Sequence, residues 1–411
     1  MDIKFSNYQV IEGGICAVKG FQAAGVHCGI RKNKSKLDLG AVLSDVPCHA
    51  AGCYTQNKVK GAPIIIDQKN LKNGIAQAII VNSGNANTCN VDGEEKAWKM
   101  CELAAEAMKV KPEDVIVSST GVIGEILPIE PIQEHIPELV DQLEESGHLN
   151  AAKAIMTTDT IPKEFAIEFM VHGVPCHIGG MAKGSGMIHP NMATLLCFLS
   201  SDVNISVPML QKALKYVVDR TYNMISVDGD TSTNDTLTIM TNCKAGNPEI
   251  TEENEDYEAF LNGLYVVLQH FSKVLAADGE GATKLIECVV THAPTESLAQ
   301  AVAKSVITSS LFKAAVFGED ANWGRILCAI GYTEGDFDIN KISVKLANHT
   351  KDILVCKNGR GVEFIEEQAN FILSGDEVRI IVNMHDGDQQ ATAWGCDLTY
   401  EYVKINGEYR S

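Results

Sequence analysis

Gly179-Gly180-Met181-Ala182-Lys183-Gly184-Ser185-Gly186-Met187-Ile188-His189-Pro190-Asn191-Met192-Ala193-Thr194-Leu195-Leu196 is the stretch on which the reading of this chain turns. Four glycines and a proline crowd what reads as a loop, and the chain becomes apolar just after Thr194, as at the start of a buried strand. Glycines let a backbone approach a ligand closely and adopt positive φ. Lys183, inside the glycines, is placed to meet a carboxylate or a phosphate. A Walker loop needs Gly-Lys-Ser/Thr, whereas here Lys183 precedes Gly184. Gly279-Glu280-Gly281 runs on into Ala282, Thr283 and Lys284, so it does not close a dinucleotide fingerprint. A Gly-x-Ser-x-Gly nucleophile elbow is absent. Taken alone, the stretch is a glycine-rich loop ahead of a strand.

Outward from it, Phe165, Ile167, Phe169 and Val171 alternate with Ala166, Glu168 and Met170, predicting a largely buried strand on the N-terminal side. On the C-terminal side Ser206 reads as an N-cap with Pro208 in the first turn. Met209, Leu210, Ala213, Leu214, Val217 and Val218 then form the apolar stripe of a helix. Farther out, helices are predicted over Glu94 to Val110, Glu255 to Leu275 and Leu298 to Lys313. Strands are predicted over Gln77 to Asn82, Asp114 to Ser119, Lys341 to Ala347, Ile353 to Lys357, Glu377 to Met384 and Thr392 to Val403. Asp386-Gly387-Asp388 reads as a hairpin turn between the last two. The sum is a mixed α/β protein, layered, with sheets sandwiched by helices.

A chain of 411 residues with 45% hydrophobic content buries an ample core. No run of 18 apolar residues predicts a spanning helix, and residues 1–7 carry no apolar signal core. The expectation is a cytoplasmic protein with no membrane partner. A net charge of −19 repels a phosphate backbone, so nucleic acid is not expected as a partner, and an anionic substrate needs specific local cations. The 13 cysteines form no Cys-x-x-Cys pair and read as small buried hydrophobes in a reducing compartment. No metal site is expected.

The block Lys183 to Leu196 resembles the signature of the ornithine acetyltransferase family, the bifunctional glutamate N-acetyltransferases of arginine biosynthesis. The likeness extends to Ser118-Ser119-Thr120-Gly121-Val122-Ile123-Gly124, Met156-Thr157-Thr158-Asp159-Thr160 and Asp228-Gly229-Asp230-Thr231-Ser232-Thr233-Asn234-Asp235. It continues through Gly279-Glu280-Gly281-Ala282-Thr283-Lys284, Phe317-Gly318-Glu319-Asp320-Ala321-Asn322-Trp323-Gly324-Arg325 and Ile405-Asn406-Gly407-Glu408. These blocks span nearly the whole chain.

The resemblance implies an N-terminal-nucleophile-like acetyltransferase fold and a precursor that cuts itself between Ala193 and Thr194. Residues 1–193 then form an α chain and residues 194–411 a β chain that opens with the nucleophile. It implies an acetyl-Thr194 intermediate, with Thr120 and Gly121 stabilising the oxyanion. Thr157, Lys183, Thr194, Glu280, Asn406 and Ser411 are implied to bind substrate. The implied reaction is ping-pong: N-acetylornithine donates the acetyl group and glutamate accepts it. No cofactor is implied, though some family members also take acetyl-CoA as donor. The implied assembly is a heterotetramer of two α and two β chains. A rival on the same scaffold is a threonine-nucleophile aminopeptidase or amidohydrolase, which would pass the acyl group to water.

Overall fold

The computed structural model describes residues 7–189 and 195–408. Its strands in chain order are β1 (Tyr8–Ile11), β2 (Phe21–Val26), β3 (Leu39–Tyr54), β4 (Ile75–Asn85), β5 (Val115–Val122), β6 (Lys163–Val171), β7 (Val174–Lys183), β8 (Leu196–Ser201), β9 (Ile225–Ser226) and β10 (Thr236–Thr241). Then follow β11 (Leu285–Ala293), β12 (Ser343–Ala347), β13 (Asp352–Lys357), β14 (Arg360–Gly361), β15 (Glu377–Asn383) and β16 (Gln389–Cys396). They build two sheets. The first runs β1-β6-β7-β8-β10-β3-β4-β5, with β2 also paired to β3, and the second runs β14-β13-β12-β15-β11-β16-β9.

Helices lie between and outside the sheets, as the layered reading expects. The helix Glu255–Ala277 packs on β6 and β7 of the first sheet and on β11 and β16 of the second. The predicted inward residues Tyr257, Leu261, Leu264, Leu268 and Phe271 are all buried. Asn254 caps this helix, its side chain accepting the Tyr257 N–H. The alternation of the second sheet gives each face its own helix. Glu287 and Trp394 point to the long helix, where Glu287 pairs with Lys273 at 2.8 Å and accepts the Trp394 indole N–H at 2.8 Å. Gly395, one residue on, faces the opposite helix Glu296–Thr308, where an added Cβ would lie 3.2 Å from Ile307. The helices Ala62–Asn70 and Gly93–Met108 cover β5.

Strands from both sides of residue 194 share the first sheet. β8 lies between β7 and β10, with Leu196 opposite Lys183 and Thr236.

Four local expectations are corrected. Gly179 and Gly180 sit inside β7 and not in a loop. An added Cβ at Gly179 would lie 2.1 Å from the Gly14 carbonyl oxygen, so glycine serves there for close backbone approach. The helix predicted over Leu298 to Lys313 is two helices, Glu296–Thr308 and Ser310–Phe317, because Ser309 is extended (φ −68°, ψ 107°) and caps the second. Asp386-Gly387-Asp388 makes no hairpin, since β11 lies between β15 and β16 and pairs with both. The last predicted strand stops at Cys396, and Tyr400–Glu408 is a helix. The Asp397 carboxylate ends the strand by taking the backbone N–H groups of Thr283 and Lys284. Tyr402, Val403 and Ile405 favour strands locally, which misled the reading.

All 13 cysteines are free thiols; most are buried as expected, but Cys89 and Cys328 are exposed. Among the described residues no helix is long and apolar enough to cross a membrane.

The β7 packing is testable. Gly179→Ala should destabilise the protein by about 1–3 kcal/mol, because the methyl group must push the Gly14 turn off the sheet. Urea unfolding midpoints compare the two proteins, and an unchanged midpoint would show that the turn yields freely.

Candidate active site

The end of β7 delivers Lys183 to a cavity of 160 Å³. Six residues implied by the sequence line it together: Thr120, Gly121, Thr157, Lys183, Glu280 and Asn406. A smaller hollow beside it, 30 Å³, shares Thr120 and Lys183 and is bordered by Leu195 and Leu196. Ala193, Thr194 and Ser411 lie outside the described residues. A larger cavity of 220 Å³, lined by Tyr216, Arg220, Tyr265 and Gln300 among others, lies against the second sheet and includes none of the implied residues.

Each side chain is placed by a specific local device. Thr120 and Gly121 lie near the end of β5, just before Val122, where its pairing with β4 loses register, so that Asn85 lies opposite both Thr120 and Val122. Gly121 has φ 134°, and an added Cβ would lie 2.3 Å from the Gly84 carbonyl carbon. Asn234 pins this corner. Its amide donates to the Ala86 and Ser119 carbonyls at 2.6 and 3.0 Å, and its oxygen accepts from Thr88 and Thr233. Asp228 holds the glycine-rich loop, accepting the Met187 and Ile188 N–H groups at 2.6 and 2.9 Å. His189 is turned inward against the Ser226 hydroxyl, and burial pushes its imidazole down to about 4.

Glu280 is fixed by its N–H donating to the Ser185 carbonyl at 2.9 Å, and its carboxylate accepts from the Asn406 amide at 2.8 Å. Gly186 makes room for that carboxylate, since a Cβ there would lie 2.4 Å from it. Asn406 belongs to the C-terminal helix Tyr400–Glu408, which has no buried residue of its own.

The Lys183 ammonium donates to the Thr157 hydroxyl at 2.7 Å and reaches the Thr120 hydroxyl at 3.4 Å. Burial lowers its pKa and the nearby Asp159 carboxylate opposes the shift. Asp159 stands 3.9 Å away and is wholly buried. It accepts the Gly184 N–H at 2.7 Å, the Thr157 N–H at 3.0 Å and the Lys163 ammonium at 2.7 Å. Burial alone would raise the Asp159 carboxyl, but the charges of Lys183 and Lys163 and the hydrogen bonds from Lys163 and the Thr157 N–H outweigh it and hold the group at about 2. Lys163 is also fully buried and ion-paired with Asp278. Arg31 steadies the neighbouring segment by donating to the Met156 and Thr157 carbonyls. The reading of the sequence assigned no role to Asp159, Asn234, Asp228, Lys163 or Arg31. The first three stand in the quoted blocks, but each has a partner far off in sequence, Gly184 25 positions from Asp159, Met187 41 from Asp228 and Ala86 148 from Asn234, so only the fold discloses what they hold.

An ammonium, a carboxylate, an amide and two hydroxyls around a small cavity can bind a molecule with both a carboxylate and an amine. Among the described residues no cluster of His, Cys, Asp and Glu is arranged to hold a metal.

Asp159→Asn removes the anion shared by two buried ammonium groups and should cost about 3–5 kcal/mol. In the wild type the depressed pKa of Asp159 stabilises the fold fully above the usual carboxylate value of about 3.9, and this is lost as pH falls through about 2. Acid unfolding curves should therefore differ between the two proteins above about pH 4 and converge toward pH 2. Parallel curves throughout would remove Asp159 as the source.

Comparison with known proteins agrees with the sequence blocks. Residues 22–411 match the ArgJ family model. The arginine biosynthesis bifunctional protein ArgJ 1 of Clostridium acetobutylicum is 51% identical over 398 residues, covering 97% of each chain. ArgJ of Caldanaerobacter subterraneus subsp. tengcongensis is 47% identical over 404 residues, covering 98% of this chain and 100% of its own. Among solved structures, ArgJ of Bacillus halodurans is 43% identical, covering 52% of this chain and 98% of its own, with a TM-score of 0.49. The chain belongs to the ArgJ family and is an acyltransferase.

Proposed function

We propose that this enzyme transfers an acetyl group from N-acetylornithine to glutamate in arginine biosynthesis, through an acetyl ester on Thr194. The observation that carries this is the single cavity holding Thr120, Gly121, Thr157, Lys183, Glu280 and Asn406, with Leu195, the neighbour of Thr194, bordering the adjoining hollow.

In the proposed sequence the Thr194 hydroxyl attacks the Ala193 carbonyl, the Ala193–Thr194 C–N bond breaks to free the Thr194 α-amine and leave an ester on the Thr194 oxygen, and water hydrolyses that ester to the Ala193 carboxylate and the Thr194 hydroxyl. That amine, with an ordinary pKa of about 7.7–8.0, takes the proton from its own hydroxyl near neutral pH. The Thr194 oxygen then adds to the acetyl carbonyl of N-acetylornithine. The Thr120 hydroxyl and the Gly121 N–H stabilise the oxyanion. The C–N bond breaks and ornithine leaves with the proton. The amine of glutamate attacks the acetyl ester, N-acetylglutamate departs, and Thr194 is restored. Lys183 binds the substrate carboxylate as a point charge, Glu280 faces the ammonium of ornithine, and Thr157, Asn406 and Ser411 add hydrogen bonds. Acetyl-CoA serves as an alternative donor in the same ester-forming step. The two chains stay together through the shared first sheet and pair into a heterotetramer in the cytoplasm.

The deciding experiment incubates purified protein with N-acetylornithine and glutamate. Acetylglutamate formed in step with ornithine is the expected result, whereas acetate without acetylglutamate would make the enzyme a hydrolase. On a denaturing gel the wild type should give two bands, and Thr194→Ala one full-length band and no turnover; cleavage in that variant would remove Thr194 as nucleophile. Asn406→Ala should lower kcat/KM by roughly 10-fold or more, because it strips a hydrogen bond from the Glu280 carboxylate, while cleavage proceeds. An unchanged kcat/KM would take Asn406 out of the site.

A further inference from the structure

Lys163 opens β6, and its side chain is fully buried between the carboxylates of Asp159 and Asp278. These three groups connect three segments that each supply a cavity residue. Asp159 accepts from the Thr157 and Gly184 N–H groups, beside Thr157 and Lys183. Asp278 accepts from the N–H and hydroxyl of Thr160, and its carbonyl accepts from the Ser185 hydroxyl, two residues before Glu280.

The geometry around Asp159 is uneven. One oxygen meets Lys163 at 2.7 Å, while the other stays 3.9 Å from Lys183, beyond hydrogen-bond reach. Lys183 instead directs its protons at the hydroxyls of Thr157 and Thr120 on the cavity wall. Two buried ammonium groups thus compete for one buried carboxylate, and Lys163 holds the close position. An unpaired carboxylate in such a place strongly attracts any cation within reach.

We infer that Lys163 is a positioning residue: by occupying Asp159 it keeps the Lys183 ammonium in the cavity, free to bind the carboxylate of the substrate. Asp278 is the counter-charge that allows a second ammonium to be buried there. Without Lys163, Asp159 draws Lys183 out of the cavity and the substrate loses its cation.

The single variant Lys163→Met leaves two carboxylates facing each other and strains folding, so the test uses Lys163→Met with Asp278→Asn, which removes one charge of each sign. KM for both N-acetylornithine and glutamate should rise on the order of 10- to 100-fold, as expected for loss of a charged contact, with kcat changed much less. Adding Asp159→Asn removes the group that captures Lys183 and should return KM toward the wild-type value. A purely structural role for Lys163 would not produce that rescue. The inference rests on the proposed transfer reaction, so the wild type is assayed first. Absence of acetylglutamate there overturns the proposed function and this inference together. Wild-type transfer with KM unchanged in the double variant, or with the triple variant as impaired as the double, overturns the inference alone.

Discussion

Burying an ammonium group is the constraint on which this molecule is organised. Lys183 must be desolvated to meet a substrate carboxylate strongly, and burial of a cation costs free energy and lowers its pKa, which the Asp159 and Glu280 carboxylates both oppose. The fold answers with Asp159 close by, and Asp159 in turn is shared with Lys163 and, through it, with Asp278. Thr157, Gly184, Thr160 and Ser185 contribute the hydrogen bonds that a buried ionic cluster needs. The segments bearing Thr157, Lys183 and Glu280 are therefore held in mutual register by electrostatics rather than by apolar packing alone.

Strand pairing supplies the rigid frame for that cluster. β7 ends at Lys183, directly opposite Leu196 of β8, and Leu196 is opposite Thr236 of β10. The chain on either side of residue 194 is thereby locked into one sheet close to the cavity. On the other flank, the bulged end of β5 carries Thr120 and Gly121, and Asn234 clamps it from the loop before β10. Hydrogen-bonded polar side chains such as Asn234 and Asn82 replace apolar side chains along this wall, which suits a site that must present donors to a charged ligand.

The C-terminal helix contrasts with this frame. Tyr400–Glu408 buries no residue, and its hold on the site includes Asn406 to Glu280 and Thr399 to the Gly281 carbonyl. The close fit of Gly281 against it, with an added Cβ 2.6 Å from the Tyr402 nitrogen, keeps the helix over the cavity without a core of its own.

Periodicity along the chain determined the long amphipathic elements, because a helix face or a buried strand writes its burial into neighbouring positions. Glu255–Ala277 and Val207–Val218 were legible in this way, as was β6. The glycine-rich blocks likewise marked where the chain approaches a site, and six of the residues they implied meet in one cavity. What the tertiary structure decided are features whose cause lies far off in sequence. Gly179 and Gly180 read as loop residues until Gly14 and Leu199 are seen pressing on them. The strand expected through Tyr402 and Val403 becomes a helix because Asp397 turns the chain onto Thr283 and Lys284, over 110 positions earlier. β15 and β16 cannot pair once β11 enters between them. Lys163 carried no signal in the sequence, since its two carboxylate partners, 4 and 115 positions away, meet it only when the sheets and the 278–280 segment close around them. Local composition records burial and chain direction, whereas the balance of buried charge is a property of the whole fold and has no local signature.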